Sequence, residues 1–554
     1  MLLRNLLICS LACALACCVA QAQQTGSHSQ PAPAAKLYWG MGDVDHPVST
    51  KNAEAQKFFN QGLALLYGFN HFEAANSFRR AAELDPDLAM AWWGVALVYG
   101  PNYNAPADED QNKVALDAVA KAQALAPKAS PPERAYIEAV AKRYSPDPKA
   151  DKAQLAVAYK DGMCAVAKQY PDDLDAATLC AEAMMNLRPW RLWSVDGSTP
   201  AEGTPEILAM LEGVLKRNPD HLGANHYYIH ATEASRQPGR ALASANRLEK
   251  LAPSAGHLVH MPSHVYWRVG DFPSAVKVNV AAAEADRKYL AVSKLAGIYP
   301  MMYYNHNVHF EALAQSMKGN YAGARRAAEQ LAMNAAPHAR AMSVVEAFLP
   351  VREYMLVRFE KWDDVLKTPK PADDLLYHTA NWHYARGMAY AARNDKQNAQ
   401  LELDALRTSA AKLKPDFLVM LNTGPDILAI AENVLAARVD QINGNKDAAI
   451  DSLRKAVAKQ DSLVYIEPPE WYFPVREALG ATLLSSGDAA EAEQVFRADL
   501  DRNPRNGRSL YGLMSSLKVQ GKERDASLVE QEFRAAWKDA DTQLQPVTVR
   551  AAAQ

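Results

Sequence analysis

An all-α solenoid of stacked helix pairs is the fold this 554-residue sequence predicts, and two observations predict it. Apolar residues recur with a helical period through Ala-, Leu- and charge-rich segments, and no alternating strand pattern interrupts them. Large and small residues also return at matched offsets. Phe58, Gly62, Leu65, Ala74, Phe78, Ala81 and Pro86 show them near one end, and Gly480, Leu483, Ala492, Phe496 and Pro504 near the other. Stacking needs this pattern, with a small residue where two helices cross and a large one between pairs, because no pair buries its apolar face alone.

In chain order, residues 1–22 read as a secretory signal, with Arg4 at the start, an apolar run from Leu6 to Ala20 and a small-residue cleavage site at Ala20-Gln21-Ala22. The run is shorter than a membrane span and nothing later resembles one, so a periplasmic or secreted protein is expected. A lipid anchor on Cys9, Cys13, Cys17 or Cys18 is the weaker alternative, since none follows the usual triplet. The remaining cysteines, Cys164 and Cys180, read equally well as a disulfide of an exported protein or as two small core residues. Residues 23–50 read as a flexible leader and entry segment, polar and Pro-rich through residue 36. The solenoid is expected over 51–540, with irregular inserts near 187–203, 290–304 and 461–474 and a tail at 541–554.

The offsets continue with Trp92, Ala96 and Tyr99, with Gly270 to Ala275 and Gly319 to Ala324 at inter-helix turns, and with Gly387, Tyr390, Gly444 and Ala449. Over nearly the whole mature chain this resembles the tetratricopeptide repeat family, in its exported bacterial type, with about twelve helix pairs. The resemblance implies a right-handed superhelix whose concave groove is lined by recurring positions of each first helix. On that register His226, His230 and Glu233 face the groove from one unit, His257, His260 and His264 from the next, and His306 and His309 from a third. Pro262 is expected to shorten or distort its helix. Steps of three and four residues return to one helix face without help from any family, so each set forms a stripe.

Seven imidazoles and one carboxylate suit a transition metal such as zinc, copper, iron or nickel rather than calcium or magnesium. Two or three ions, or one ion with supporting histidines, are the options, beside a metal-free groove for a peptide or anion and plain packing. The function expected is an exported binding scaffold with a metal site. The alternatives are a metalloenzyme, hydrolytic or redox, with Glu233 as ligand or general base, and a metal-free scaffold for a protein or peptide. A net charge of -3 gives no basic face for nucleic acid. There is no Gly-rich phosphate loop, no Gly-x-Ser-x-Gly elbow and no His-Glu-x-x-His pair.

Other residues are read more blandly. Glu182 joins the groove from the preceding unit, His383 packs between helices, His71 sits at a turn, and His46 closes over the solenoid end. Trp190, Trp193, Asp196, Glu467, Glu470 and Trp471 lie in the inserts, where they either pack the loops or gate the groove, and Tyr227, Tyr303 and Tyr304 are nearby phenols.

Overall fold

Every regular element of the computed structural model is a helix or helical turn, among the described residues 35–545 with 294, 296 and 341 excepted. Only three isolated bridges, such as Trp193 with Pro200, have extended pairing there. The expected signal sequence (residues 1–22), residues 23–34 of the expected leader and residues 546–554 of the expected tail lie outside the described residues. No described helix is long and apolar enough to cross a membrane.

The chain forms two compact units. The first comprises the described residues up to Val265 together with Ala281–Tyr304, and the second comprises Tyr266–Val280 and the described residues from Asn305 onward. In the first unit consecutive helices pack in pairs: α1 (Ala53–Tyr67) on α2 (His71–Leu84), α3 (Ala89–Val98) on α4 (Glu109–Leu125), α5 (Pro131–Ala141) on α6 (Lys152–Gln169), then α7 (Leu174–Met185) on α8 (Thr204–Arg217). Next come α9 (Leu222–Glu233), α10 (Leu242–Leu251) and α11 (Gly256–His260). The break expected at Pro262 is present: Pro262 opens a separate helix, α12 (Pro262–Arg268), so the stripe of three histidines is divided at Met261. The long α13 (Phe272–Ser293) and a π-helical turn, Tyr299–Tyr304, follow.

Polar residues start these helices as the sequence dictates. Asn52 and Asn70 accept the first free N–H groups of α1 and α2, Asp108 with Gln111 and Ser130 with Glu133 form capping boxes, and Asp151 and Asp173 cap α6 and α7. The small-over-large pattern is literal in the packing. Phe78 is fully buried between Gly62 of α1 and Gly94 of α3, where an added Cβ would lie 2.6 and 2.5 Å from its ring. In the second unit Phe496 holds the same place between Gly480 and Gly512, at 2.6 and 2.2 Å. From Asn305 onward that unit packs α14 (Asn305–Met317) on α15 (Tyr321–Ala335), and its later pairs include Leu376–Ala392 with Lys396–Ala410 and Val475–Ser486 with Ala489–Arg502.

Cys164 of α6 and Cys180 of α7 form a disulfide, with Cα atoms 4.8 Å apart, which decides between the two readings of that pair. Closing a loop with a sequence separation of 16 is worth about 3 kcal/mol through the unfolded chain. Reduction is therefore expected to lower the unfolding free energy of the first unit by that amount, read as a lower denaturant midpoint, and an unchanged midpoint would contradict it.

Candidate metal centre

α9 is buried along its entire length, an environment that polar side chains enter only with partners. His221 caps it: its Nδ1 accepts the Ala224 N–H at 3.2 Å, so this histidine is structural. The side chains that follow, His226, His230 and Glu233, are each at most 1% exposed.

Hydrogen bonding fixes the tautomer of the two imidazoles. His226 Nδ1 lies 2.5 Å from the Tyr67 carbonyl oxygen, which can only accept, so Nδ1 carries the proton and Nε2 carries a lone pair. His230 Nδ1 lies 2.7 Å from Glu233 Oε1, and donation to that carboxylate likewise leaves a lone pair on Nε2. Both Nε2 atoms are buried and have no hydrogen-bond partner among the described residues. The ligand atoms of His226, His230 and His257 all lie within 4.8 Å of one another. Bonds of 2.0–2.1 Å to a tetrahedral ion would place such nitrogens roughly 3.4 Å apart, a contraction that side-chain rotation supplies.

Electrostatics agree with the geometry. Burial lowers His226 well below its ordinary pKa, and burial outweighs Glu233 in lowering His230, so both rings are neutral and able to ligate. Burial opposes charge on Glu233, but the neighbouring His264 and His230 hold its carboxyl down to about 2. An ionised carboxylate is thus buried between the imidazoles of His230 and His264.

Behind Glu233 the remaining first-unit candidates form a chain. Glu233 Oε2 accepts from His264 Nδ1, His264 Nε2 faces His260 Nε2 at 2.9 Å, and His260 Nδ1 faces the Ser263 hydroxyl at 3.2 Å. One proton per ring satisfies every contact in this chain. His230, Glu233 and His264 also offer donors within 4.8 Å of one another, but there the atoms already bond each other, whereas the three-histidine set has two lone pairs with nothing to accept.

The other expected site residues lie outside the three-histidine group. His306 and His309 belong to α14 of the second unit. His306 packs its ring 6.0 Å from Phe310. His309 is buried against Phe348 and Tyr472, and that burial lowers it to about 3. Glu182 is buried and bonded to Asn186, outside the three-histidine group. His383 pairs with Glu402 at 2.6 Å, and His71 opens α2 as expected of a turn residue. Glu470 secures a loop of the second unit, accepting the backbone N–H groups of Met420, Leu421 and Asn422.

Aromatic rings that register arguments did not single out wall the pocket. Phe69 lies 4.6 Å from His226 and 5.6 Å from His257, and Tyr103 lies 5.0 Å from His230. Trp190 stands 5.6 Å from His230 and Tyr303 5.1 Å from His257, so one insert residue and one of the noted phenols do reach the site. Phe69 and Trp190 hold positive φ values of 55° and 59°, unusual for bulky side chains and concentrated at functional places.

A second cluster lies in the same unit. Asp175 binds His46 Nδ1 at 2.7 Å and His221 Nε2 at 3.2 Å and accepts from the Tyr67 hydroxyl, while Asp173 accepts from Tyr136 and from the Ala176 N–H. The donors of His46, Asp173 and Asp175 approach within 4.8 Å, yet each is already bonded. Burial opposes charge on His46, but Asp175 foremost, then Asp173 and Glu133, raise it above 6.5. Burial would raise Asp175, but His221 and His46 hold it below 3.8. His46 therefore contributes stability below pH 6.5 that is lost as pH climbs through its folded value, and Asp175 contributes stability above pH 3.8 that is lost on acidification. Thermal unfolding of His46→Gln against the parent should show its largest deficit between those limits and a shrinking deficit at alkaline pH. A deficit independent of pH would contradict the pairing.

No protein-family model matches the chain, and no curated protein matches it. Among solved structures it is similar to the human IFIT1 dimer with m7Gppp-AAAA, at 14% identity and a TM-score of 0.32 over 88% of this chain and 91% of that one. It is similar to yeast Tom70 at 12% identity and a TM-score of 0.31, over 88% of this chain and 100% of that one. It is also similar to the P58(IPK) TPR domain at 11% identity and a TM-score of 0.21, over 85% and 99%.

Proposed function

We propose that this chain is an exported helical-repeat scaffold of tetratricopeptide type whose first unit binds one transition-metal ion through His226, His230 and His257. The observation that carries the reading is the pair of buried Nε2 lone pairs on His226 and His230, each fixed by a hydrogen bond at Nδ1 and both within ligating range of His257. Metal-binding histidines are held in this way, one nitrogen on the ion and the other on a carbonyl or carboxylate. Three imidazole nitrogen donors in a buried pocket suit zinc, copper or iron and leave a fourth position open. An ion held there would supply Lewis acidity, or electron transfer if it were copper or iron. Glu233 then orients His230 rather than ligating, and its charge offsets that of the cation.

The Cys164–Cys180 disulfide supports location in an oxidising compartment, as the N-terminal signal-like residues do. A peptide-holding role is supported by α1, whose Gln56, Asn60 and Gln61 side chains bond the backbone of residues 36–48. The test of the metal reading is titration of the metal-free protein with zinc, copper(II) and iron(II) against a competing chelator. One ion bound per chain is expected for at least one metal, and no uptake of any would contradict the proposal.

A further inference from the structure

We propose that residues 36–50 are a strap that controls access to the metal pocket from the side of His257, an inference that rests on the metal reading above. From Lys36 to Thr50 the chain forms neither helix nor strand, yet it is held in place by side chains of the solenoid. Gln61 bonds Tyr38 N–H at 2.6 Å and the Lys36 carbonyl at 2.8 Å. Gln56 bonds Val48 N–H at 3.0 Å and the His46 carbonyl at 2.8 Å, and Asn60 accepts the His46 N–H at 3.3 Å. His46 on Asp175 and Ser49 on Glu133 fasten its far end.

The middle of the strap is fitted most closely. The Gly40 carbonyl accepts the Ser254 N–H at 2.8 Å. Gly42 has φ 115°, and a Cβ there would lie 2.5 Å from Leu222 Cδ2, at the first residue of α9. Met41, between the two glycines, is only 6% exposed. It walls a small cavity with Asn70, Ser254, Tyr289, Tyr299 and His257, the third of the proposed ligands. The cavity measures about 10 Å³, room for roughly one water. His257 thus has the rings of Phe69 and Tyr303 beside it, and the cavity at its edge is bounded in part by a segment without regular structure. A segment held mainly by side-chain contacts opens at lower cost than packed helices do, which makes the strap the natural route for an ion entering or leaving.

The test compares the parent with Gly42→Val, which the Leu222 contact and the positive φ force off its seat, and with Met41→Ala, which enlarges the cavity and leaves every anchor in place. Each protein is loaded with zinc, and release to excess chelator is timed by stopped flow. Gly42→Val should release zinc about tenfold faster or more, and Met41→Ala should move in the same direction. Stoichiometry and helix content should stay at parental values, with residues 36–50 newly open to protease in Gly42→Val. Parental release rates in both variants, with that segment open to protease, would overturn the strap while leaving the metal site standing. Absence of zinc from all three proteins, with copper(II) and iron(II) also refused, would overturn both.

Discussion

Replacing His226 and His230 together by alanine is expected to lower affinity for the bound ion by at least about a hundredfold, since two of three ligands are lost. Helix content should stay near the parental value, because α9 keeps its His221 cap and its apolar contacts. The informative comparison is the double variant His260→Ala, His264→Ala. Those imidazoles are placed behind Glu233 and support His230 only indirectly, so their loss should cost about tenfold. Chelator competition on both variants checks the ranking. Equal losses, or a larger loss from the second pair, would move the ion to the other side of Glu233.

The second large effect concerns the frame that holds α9. Phe78→Ala removes a fully buried ring lodged between Gly62 and Gly94 and should destabilise the first unit by about 3–5 kcal/mol. Two glycines face the vacancy, and neither has a side chain to fill it. Denaturant unfolding followed by circular dichroism measures the loss, and a cost below about 1 kcal/mol would mean that the site collapses freely.

Phe78 also shows why the fold was legible. Its spacing from Gly62 appears in the sequence because helix crossing dictates that spacing, and the same spacing recurs around Phe496. The histidine stripes were legible for a related reason, since helical phase alone places His226, His230 and Glu233 together. Phase does not say which atoms are already satisfied. The contacts of Tyr67 with His226 and of His264 with Glu233 come from helices distant in sequence, and they separate the proposed ligands from the histidines bonded behind Glu233. Tyr103 and Trp190 reach the pocket from irregular segments whose course no periodicity encodes. Residues 36–50 read only as the end of a leader and an entry segment because they carry no apolar period. What orders them is the matching of their backbone by Gln56, Asn60 and Gln61, which composition does not record.

The measurement that bears most directly on the central claim is elemental analysis of untagged protein, purified without chelator, beside the His226→Ala, His230→Ala variant. One equivalent of zinc, copper or iron in the parent and none in the variant is the result expected. A parent that is metal-free and also refuses all three ions would contradict the metal centre and leave a helical-repeat scaffold with a buried, purely structural histidine cluster.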